Sequence, residues 1–268
     1  MKLAVISDIH GNLPALEAVL DDIAARQPDQ VVVAGDLVNR GPQPAEVVAR
    51  LRPLAYPTLK GNHERYVLAQ AHGGDTGEAN EDYAPSRWAA QQLDDDAIQY
   101  LDALPAMLCV SDFLVVHGSP RGDQDGIFRR HTDHDLQERL GDHRAVICGH
   151  THVSLVRHWS GGLVVNAGSA GNTFEGDTLA RYAWLEQRGD GWHADIVSID
   201  YDVDAALRAF EAGDYLTAGG PMARLFRLEI ATGRNHLIPA YLAHRDAVES
   251  GSISLTQAVD LYLTGLER

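Results

Sequence analysis

The chain runs three times, within its first 64 residues, from a short apolar segment into a polar turn and then into a helix-like segment. The apolar segments cover residues 3–6, 30–34 and 56–59, and helix-like segments cover 13–20 and 44–51. Strands that alternate with helices build a parallel sheet in which every strand ends at the same edge. The pattern therefore predicts an α/β fold whose polar turns meet at one edge of the sheet.

The first polar turn, Ser-Asp-Ile-His-Gly-Asn at residues 7–12, places a carboxylate and an imidazole two residues apart. Alternate side chains of a strand leave on the same side, so we expect Asp8 and His10 to face one point while Ile9 faces the core. Such a pair alone is more typical of a turn-forming Asp beside an ordinary polar His. The interpretation as metal ligands therefore depends on what the other strand ends carry.

Similar polar residues follow the later predicted strands. Gly-Asp-Leu-Val-Asn-Arg-Gly-Pro begins at residue 35, Gly-Asn-His-Glu at residue 61 and Gly-His-Thr-His at residue 149, and one His follows the strand at 113–116. The candidate ligands at the strand ends are Asp8, His10, Asp36, Asn62, His63, His117, His150 and His152. Carboxylates, imidazoles and an amide oxygen suit manganese, iron or zinc, and this set is large enough for two ions.

Two insertions and a C-terminal appendage complete the predicted organisation. The insertions cover about residues 71–104 and 121–144; the first begins with a loop-like segment at 72–80 and continues with two helices, the second of them capped by Asp94. Short alternating runs between residues 155 and 199 predict a second, more antiparallel sheet layer. We place a catalytic domain at residues 1–200. Residues 201–268 contain helical patterns at 203–211, 238–248 and 255–263, and would pack on the catalytic layer or form an oligomer interface, so a homo-oligomer stays open.

The formal net charge of −16 excludes some partners. Long nucleic acid is held through its phosphates by a basic protein face, so we expect no stable nucleic-acid binding. We also expect no membrane contact and no signal peptide, because no apolar run is long enough to span a bilayer and the N-terminus lacks a cleavage pattern. Cys109 and Cys148 lie in apolar runs and are predicted to be buried free thiols, which fits a cytoplasmic location.

Taken in order, these motifs resemble those of the calcineurin-like metallophosphoesterase family over about residues 1–170. The resemblance implies a four-layer αββα sandwich of two mixed sheets with a dinuclear centre at one edge. We expect manganese there, with iron, zinc and nickel also compatible. The resemblance assigns the first ion to Asp8, His10 and His152, the second to Asn62, His117 and His150, and a bridging position to Asp36. It makes His63 the residue that protonates the leaving group or stabilises charge on the phosphate, and Arg40 a phosphate clamp.

One departure from the protein-phosphatase branch directs the choice of substrate. Asn39 stands where that branch usually has Asp, so the usual carboxylate partner of His63 is missing. The same loop is similar to that of bacterial dinucleoside tetraphosphate hydrolases, but the chain length, residues 7–12 and residues 165–169 are more similar to small bacterial phosphodiesterases.

We therefore predict an enzyme that hydrolyses phosphodiester bonds of a small, nucleotide-type substrate with hydroxide activated by two metal ions. Phosphomonoesters, phosphoproteins and dinucleoside polyphosphates stay open as substrates. A binding module without turnover is a further alternative, and His63 argues against it, because a storage site has no use for a polar non-ligand beside the ions.

Overall fold

The computed structural model describes residues 1–74 and 81–266, so part of the loop-like segment predicted at 72–80 and the last two residues of the appendage lie outside the described residues. The strands are β1 (Lys2–Ile6), β2 (Gln30–Val33), β3 (Met107–Val110), β4 (Phe113–Val116), β5 (Ala145–Cys148), β6 (Leu155–Trp159), β7 (Gly162–Asn166), β8 (Ala180–Arg188) and β9 (Gly191–Ile199).

The helices of the described residues flank these strands. They are α1 (Leu13–Arg26), α2 (Pro44–Leu51), α3 (Asn62–Ala71), α4 (Ala84–Gln92), α5 (Asp95–Ala103), α6 (Asp133–Leu140), α7 (Val203–Glu211), α8 (Tyr215–Ala218), α9 (Gly220–Thr232), α10 (Leu237–Glu249) and α11 (Leu255–Leu266). The two helices expected in the first insertion are α4 and α5, and Asp94 caps α5 by accepting a hydrogen bond from the Ala97 N–H at 2.7 Å. No helix within the described ranges is long and apolar enough to cross a bilayer.

Both sheets are mixed. The first has the strand order β2-β1-β8-β9, with β1 parallel to β2 and antiparallel to β8. The second has the order β3-β4-β5-β7-β6, with parallel pairing of β5 to β4 and to β7 and antiparallel strands at both edges. The parallel strands β1, β2, β4 and β5 all run in a direction that delivers the polar turns to one edge of the sandwich.

Three apolar layers hold the sandwich together. Leu3 and Val5 of β1 pack against Val115 and Ile147 between the two sheets. The other face of the first sheet packs on α1, α2 and the C-terminal helices. The outer face of the second sheet is covered by α6 through residues such as Leu136. The predicted four-layer αββα sandwich of two mixed sheets, with a C-terminal helical region, is confirmed.

The predicted third strand at residues 56–59 is wrong. This segment makes a single parallel bridge between Thr58 and Val33. Val33 donates to the Pro57 carbonyl at 2.9 Å and accepts from Leu59 at 3.0 Å. Proline has no N–H to offer a ladder, so the pairing beside β2 does not extend into a strand.

The prediction that residues 155–199 form one second layer is wrong for its C-terminal half. β6 and β7 do join the second sheet, but β8 crosses back and pairs with β1, in register from Lys2 opposite Glu186 to Val5 opposite Ala183. The apolar pattern marks these runs as strands, but pattern alone cannot choose between two sheets that both need an apolar partner.

The prediction for the cysteines is also half wrong, because Cys148 is buried and Cys109 is exposed, although both are free.

The C-terminal helices share the core of the first sheet. Phe210 of α7 and Phe226 of α9 belong to the same buried cluster as Leu16 of α1. Helix α9 was not predicted from the sequence, although its buried residues Leu225, Phe226 and Ile230 have helical spacing. The C-terminal region therefore packs directly behind the turns that follow β1 and β2.

Candidate metal centre

The turns at the strand ends hold their polar residues in a left-handed backbone conformation. Asp8 and His10 lie beyond β1 with φ values of 55° and 51°, and Asp36, His150 and His152 have φ values of 56°, 69° and 57°. The sequence had indicated that strand alternation places Asp8 and His10 on one side. The structure shows that it does not, because both residues lie beyond the strand. Instead, the N–H groups of Ile9 and His10 donate to the Asp36 carbonyl at 2.8 and 2.9 Å, which locks the first two turns together. Non-glycine residues in this conformation cost energy and concentrate at functional sites.

A first group of ligand atoms comes from three buried side chains. Asp8 Oδ1 lies 3.3 Å from His152 Nε2 and 3.7 Å from His10 Nε2. The two imidazole nitrogens are 3.0 Å apart. These three residues are the ones that the family resemblance assigned to a first metal ion.

A second group lies beside the first. Asn62 Oδ1 is 3.0 Å from His117 Nε2 and 3.0 Å from His150 Nδ1. Asp36 Oδ2 lies 3.1 Å from His117 Nε2 and 3.6 Å from His10 Nε2, so it stands between the two groups. All seven residues that the resemblance assigned to metal thus meet in one cluster. The turns that form it follow strands of both sheets.

Backbone carbonyls orient two of the imidazoles. His117 Nδ1 donates to the Ala34 carbonyl at 2.8 Å, and His152 Nδ1 donates to the Asn172 carbonyl. In a neutral imidazole, a ring nitrogen that donates in this way leaves the other nitrogen with a free lone pair. Both Nε2 atoms therefore face the cluster as ligand atoms, which is the arrangement in which proteins hold metal-binding histidines.

The electrostatics of the cluster suit a cation. Asp8 and Asp36 are buried, and within residues 1–74 and 81–266 their ion-pair partners are all histidines. Burial raises the pKa of Asp8, but His152 and His10 outweigh it and hold that pKa well below its usual value. Asp8 Oδ1 is nonetheless buried without a hydrogen-bond partner. An anionic oxygen of this kind, among imidazole nitrogens, fits a divalent metal ion.

His63 lies at the same edge and, like His150, is half-buried. Its ring packs edge to face on the His10 ring, with the ring centres 4.7 Å apart. Its backbone N–H donates to Asp36 Oδ1 at 2.9 Å. Its ring nitrogen Nδ1 is buried without a partner. One ring nitrogen also lies within 4.8 Å of ligand atoms of Asp36 and His10, which is close enough for His63 itself to bind metal.

Asn39 does not take the place of a carboxylate partner for His63. Its side-chain amide donates to Ser86 Oγ of α4 at 2.9 Å, and its side-chain oxygen accepts from the Arg40 N–H at 2.8 Å. The first insertion therefore contacts the site through Ser86, and the neutral residue at position 39 stabilises the turn.

Arg40 is buried in an ion pair. Its Nη1 donates to Oε2 of Glu229 in α9 at 2.7 Å. Glu229 was not among the predicted site residues. An acidic residue three positions after Phe226, on the inward side of an apolar helix, is the signal that would have indicated it.

Glu64 is a second site residue without a predicted role. This buried carboxylate accepts hydrogen bonds from the N–H groups of Asp36, Leu37 and Gly61 at 2.8, 2.7 and 2.7 Å, and from Val38 at 3.2 Å. Burial and the Asp36 carboxylate raise the pKa of Glu64 to about 7, and the N–H donors act in the opposite direction. Glu64 thus ties the turn with Asp36 to the turn with Asn62, and the Gly-x-x-Glu spacing of a capping box is its sequence signal.

Known proteins share this fold and parts of this sequence. Residues 1–190 match the profile of the calcineurin-like phosphoesterase superfamily domain. A crystal structure of a metallophosphoesterase from Sphaerobacter thermophilus superposes with a TM-score of 0.71 at 29% identity, covering 87% of this chain and 99% of that one. An uncharacterised protein of Methanocaldococcus jannaschii is 27% identical over 231 residues, 76% of this chain and 89% of its own length.

Two relatives with named activities match shorter stretches. Phosphodiesterase YfcE of Escherichia coli K12 is 40% identical over 77 residues, 25% of this chain and 42% of that protein. A symmetrical bis(5'-nucleosyl)-tetraphosphatase of Paracidovorax citrulli is 45% identical over 76 residues, 27% of each protein. The chain thus matches less than half the length of either. The profile match nevertheless extends over 190 of the 268 residues, and the chain therefore belongs to the calcineurin-like phosphoesterase superfamily and is a hydrolase.

Proposed function

We propose that this enzyme hydrolyses phosphodiester bonds of a small, nucleotide-type substrate at a centre of two divalent metal ions. The observation that carries the proposal is the division of one buried cluster into two ligand groups with a carboxylate between them. Asp36 Oδ2 lies within 4 Å of a ring nitrogen from each group, as expected of a bridging ligand.

The proposed roles follow these groups. Asp8, His10 and His152 would hold one ion, Asn62, His117 and His150 the other, and Asp36 both. When bound, the two ions would neutralise charge on the phosphate and promote deprotonation of the attacking water. Manganese is the metal we expect, because oxygen and imidazole ligands without thiolate suit it, and iron, zinc and nickel remain compatible.

His63 is proposed to assist the leaving group. Burial holds the pKa of His63 well below its usual value, so its ring is neutral and can donate one N–H to an oxygen that gains charge. The hydrogen bond from its backbone N–H to Asp36 fixes its distance from the centre. Since position 39 supplies no carboxylate, His63 would act without the acidic partner of the protein-phosphatase branch.

Two observations favour a diester over a phosphoprotein. Asn39 is neutral and contacts Ser86, and the chain is 40% identical to phosphodiesterase YfcE over 77 residues. The similarity to a bis(5'-nucleosyl)-tetraphosphatase favours a dinucleoside polyphosphate as the second candidate.

We retain residues 1–200 as the proposed catalytic domain and 201–268 as a helical appendage. A cytoplasmic location and a homo-oligomer stay predictions of the sequence.

The test uses metal-stripped protein that is reloaded with manganese. Hydrolysis of bis(p-nitrophenyl) phosphate is measured beside p-nitrophenyl phosphate and diadenosine tetraphosphate, for the native chain and for His63→Ala. We expect the diester to be the best substrate and its turnover to be severely reduced in the variant. A preference for the monoester would contradict the proposal, and a preference for the tetraphosphate would select the second candidate.

A further inference from the structure

A buried ion pair joins the proposed centre to the C-terminal helices. Arg40 follows β2, and Glu229 lies in α9, 189 residues later in the chain. Their relative exposures are 8% and 0%. Because few water molecules reach this pair, its charges act on their surroundings more strongly than those of a surface pair.

Glu229 is held in place by four N–H donors. Its Oε2 accepts from Arg40 at 2.7 Å and from the Asn172 side chain at 3.1 Å. Its Oε1 accepts from the backbone N–H groups of His236 and Leu237 at 2.9 and 3.0 Å. A carboxylate has acceptor atoms only, and here both of its oxygens are occupied by N–H donors. A negative charge is therefore fixed beside Arg40.

Arg40 itself borders the metal ligands. It lies beside His10 and Asn172 at a gap that is too narrow to hold a water molecule. The central carbon of its guanidinium lies 4.8 Å from the centre of the Phe226 ring and 5.6 Å from that of Phe174, and Phe174 stacks on His152 at 4.4 Å. Its Nε is buried without a partner. The Phe174 ring thus lies between the Arg40 guanidinium and the proposed ligand His152, and Glu229 balances the charge of Arg40.

We infer that Glu229 is a specificity-determining residue, which favours singly charged phosphodiesters over doubly charged phosphomonoesters by neutralising Arg40 beside the centre. The inference rests on the proposed function and adds the charge class of the substrate to it. A diester carries one negative charge, whereas a monoester near neutral pH carries about two. An uncompensated Arg40 would attract the second charge of a monoester, and a neutralised pair attracts both substrates to a similar extent.

The variant that tests this inference is Glu229→Gln. A glutamine can accept on one side only, so its oxygen keeps the two backbone N–H groups of His236 and Leu237 while its amide N–H₂ faces Arg40. The positive charge of Arg40 then loses its counter-charge. We expect the ratio of monoester to diester kcat/KM to rise about tenfold, because Arg40 then adds one uncompensated positive charge near the centre.

Binding is measured as well, so that the result does not depend on turnover. Manganese-loaded protein is titrated at pH 8 by calorimetry with inorganic phosphate, which is mainly a dianion, and with dimethyl phosphate, which is a monoanion. Glu229→Gln should tighten phosphate binding relative to dimethyl phosphate by about the same factor. Manganese content per protein should equal that of the native chain, because Glu229 contacts none of the proposed ligands.

Two further variants separate charge from structure. Glu211→Gln is the matched control, since Glu211 pairs with Arg227 on the exposed side of the same helices and should leave both ratios unchanged. Arg40→Met leaves the charge of Glu229 unbalanced and should shift both ratios in the opposite direction. This second variant keeps the inference testable if Glu229→Gln does not fold.

The outcomes distinguish this inference from the proposed function. A selective gain for the monoester and for inorganic phosphate in Glu229→Gln, absent when Arg40→Met is added, supports the inference. An equal loss for both substrates and both ligands would overturn it and leave Glu229 a purely structural residue. A native chain that binds both anions but hydrolyses neither ester would overturn the proposed function, while the binding ratio still decides the inference.

Discussion

The strand-end cluster and the Arg40–Glu229 pair are both buried, polar and adjacent, but they balance their charges in different ways. In the cluster, two carboxylates face four imidazoles, and Asp8 Oδ1 has no hydrogen-bond partner. In the pair, each charge has its opposite within the chain, and Glu229 is saturated with donors. The cluster is therefore built to receive a cation, whereas the pair is complete by itself.

The cluster and the pair also differ in the parts of the chain that supply their residues. The cluster is assembled from turns within the first 152 residues, inside the part that matches the family profile. The pair needs α9, which lies beyond that part. The centre thus lies within the part that matches the family profile, whereas the surroundings of Arg40 include a helix beyond that part.

The largest effect is expected from Asp36→Asn, which weakens the cluster at its proposed bridge. An amide is a poorer metal ligand than a carboxylate and cannot serve two ions. Metal should be lost on dialysis, and turnover should fall to that of the uncatalysed reaction. Elemental analysis and diester hydrolysis provide the measurement, with Asp142→Asn, on the exposed surface, as the control. Full retention of both ions would rule out the bridge.

His63→Ala should separate chemistry from metal binding within the same cluster. We expect near-normal metal content and a loss of turnover of about 10²- to 10⁴-fold, the usual contribution of one proton-donating side chain. His72→Ala, which removes an exposed histidine paired with Asp102, is the control. Loss of metal in His63→Ala would show that His63 is a ligand, as its distance from Asp36 and His10 allows.

Arg40→Met should lower the folding stability, because it breaks the buried Arg40–Glu229 pair. Removing the arginine leaves Glu229 as an uncompensated buried charge, which is expected to lower the free energy of unfolding by about 3–5 kcal/mol. Urea denaturation of the metal-free protein measures this effect. Arg50→Met breaks the more exposed pair with Glu17 and should cost at most about 1 kcal/mol. Similar small losses in both variants would show that the Arg40 pair is not desolvated.

Glu64→Gln should give the smallest effect, because Glu64 supports the turns of the strand-end cluster without belonging to the proposed ligands. The neutral amide weakens the hydrogen bonds from Asp36, Leu37, Val38 and Gly61, so we expect a loss of about 2 kcal/mol in stability. Metal affinity should fall about tenfold, because the turns with Asp36 and Asn62 are less well oriented. Glu46→Gln, in the exposed first turn of α2, is the control for thermal unfolding and metal titration. Unchanged metal affinity would contradict the orienting role.

The residue types at the strand ends could be recognised without the structure, but the manner in which the backbone presents them could not. Asp8 and His10 were expected to share a face of a strand, and instead occupy left-handed positions that hydrogen bonds to Asp36 maintain. Such a conformation depends on a second turn, and local preference gives no sign of it. The placement of β8 beside β1 was missed for a similar reason, since either sheet could have accepted an apolar strand.

By itself the sequence determined the alternation of strands and helices, the polar residue at each strand end and the chemical character of the cluster, because these depend on periodicity and on residue type. Only the tertiary structure decided that Asn39 would face Ser86, that Glu64 would bind four N–H groups and that Arg40 would meet Glu229. A polar side chain buried by folding takes whichever partner the packing brings within hydrogen-bond distance. For Arg40 that partner lies 189 residues away, in a helix whose position is set by the apolar core behind the first sheet.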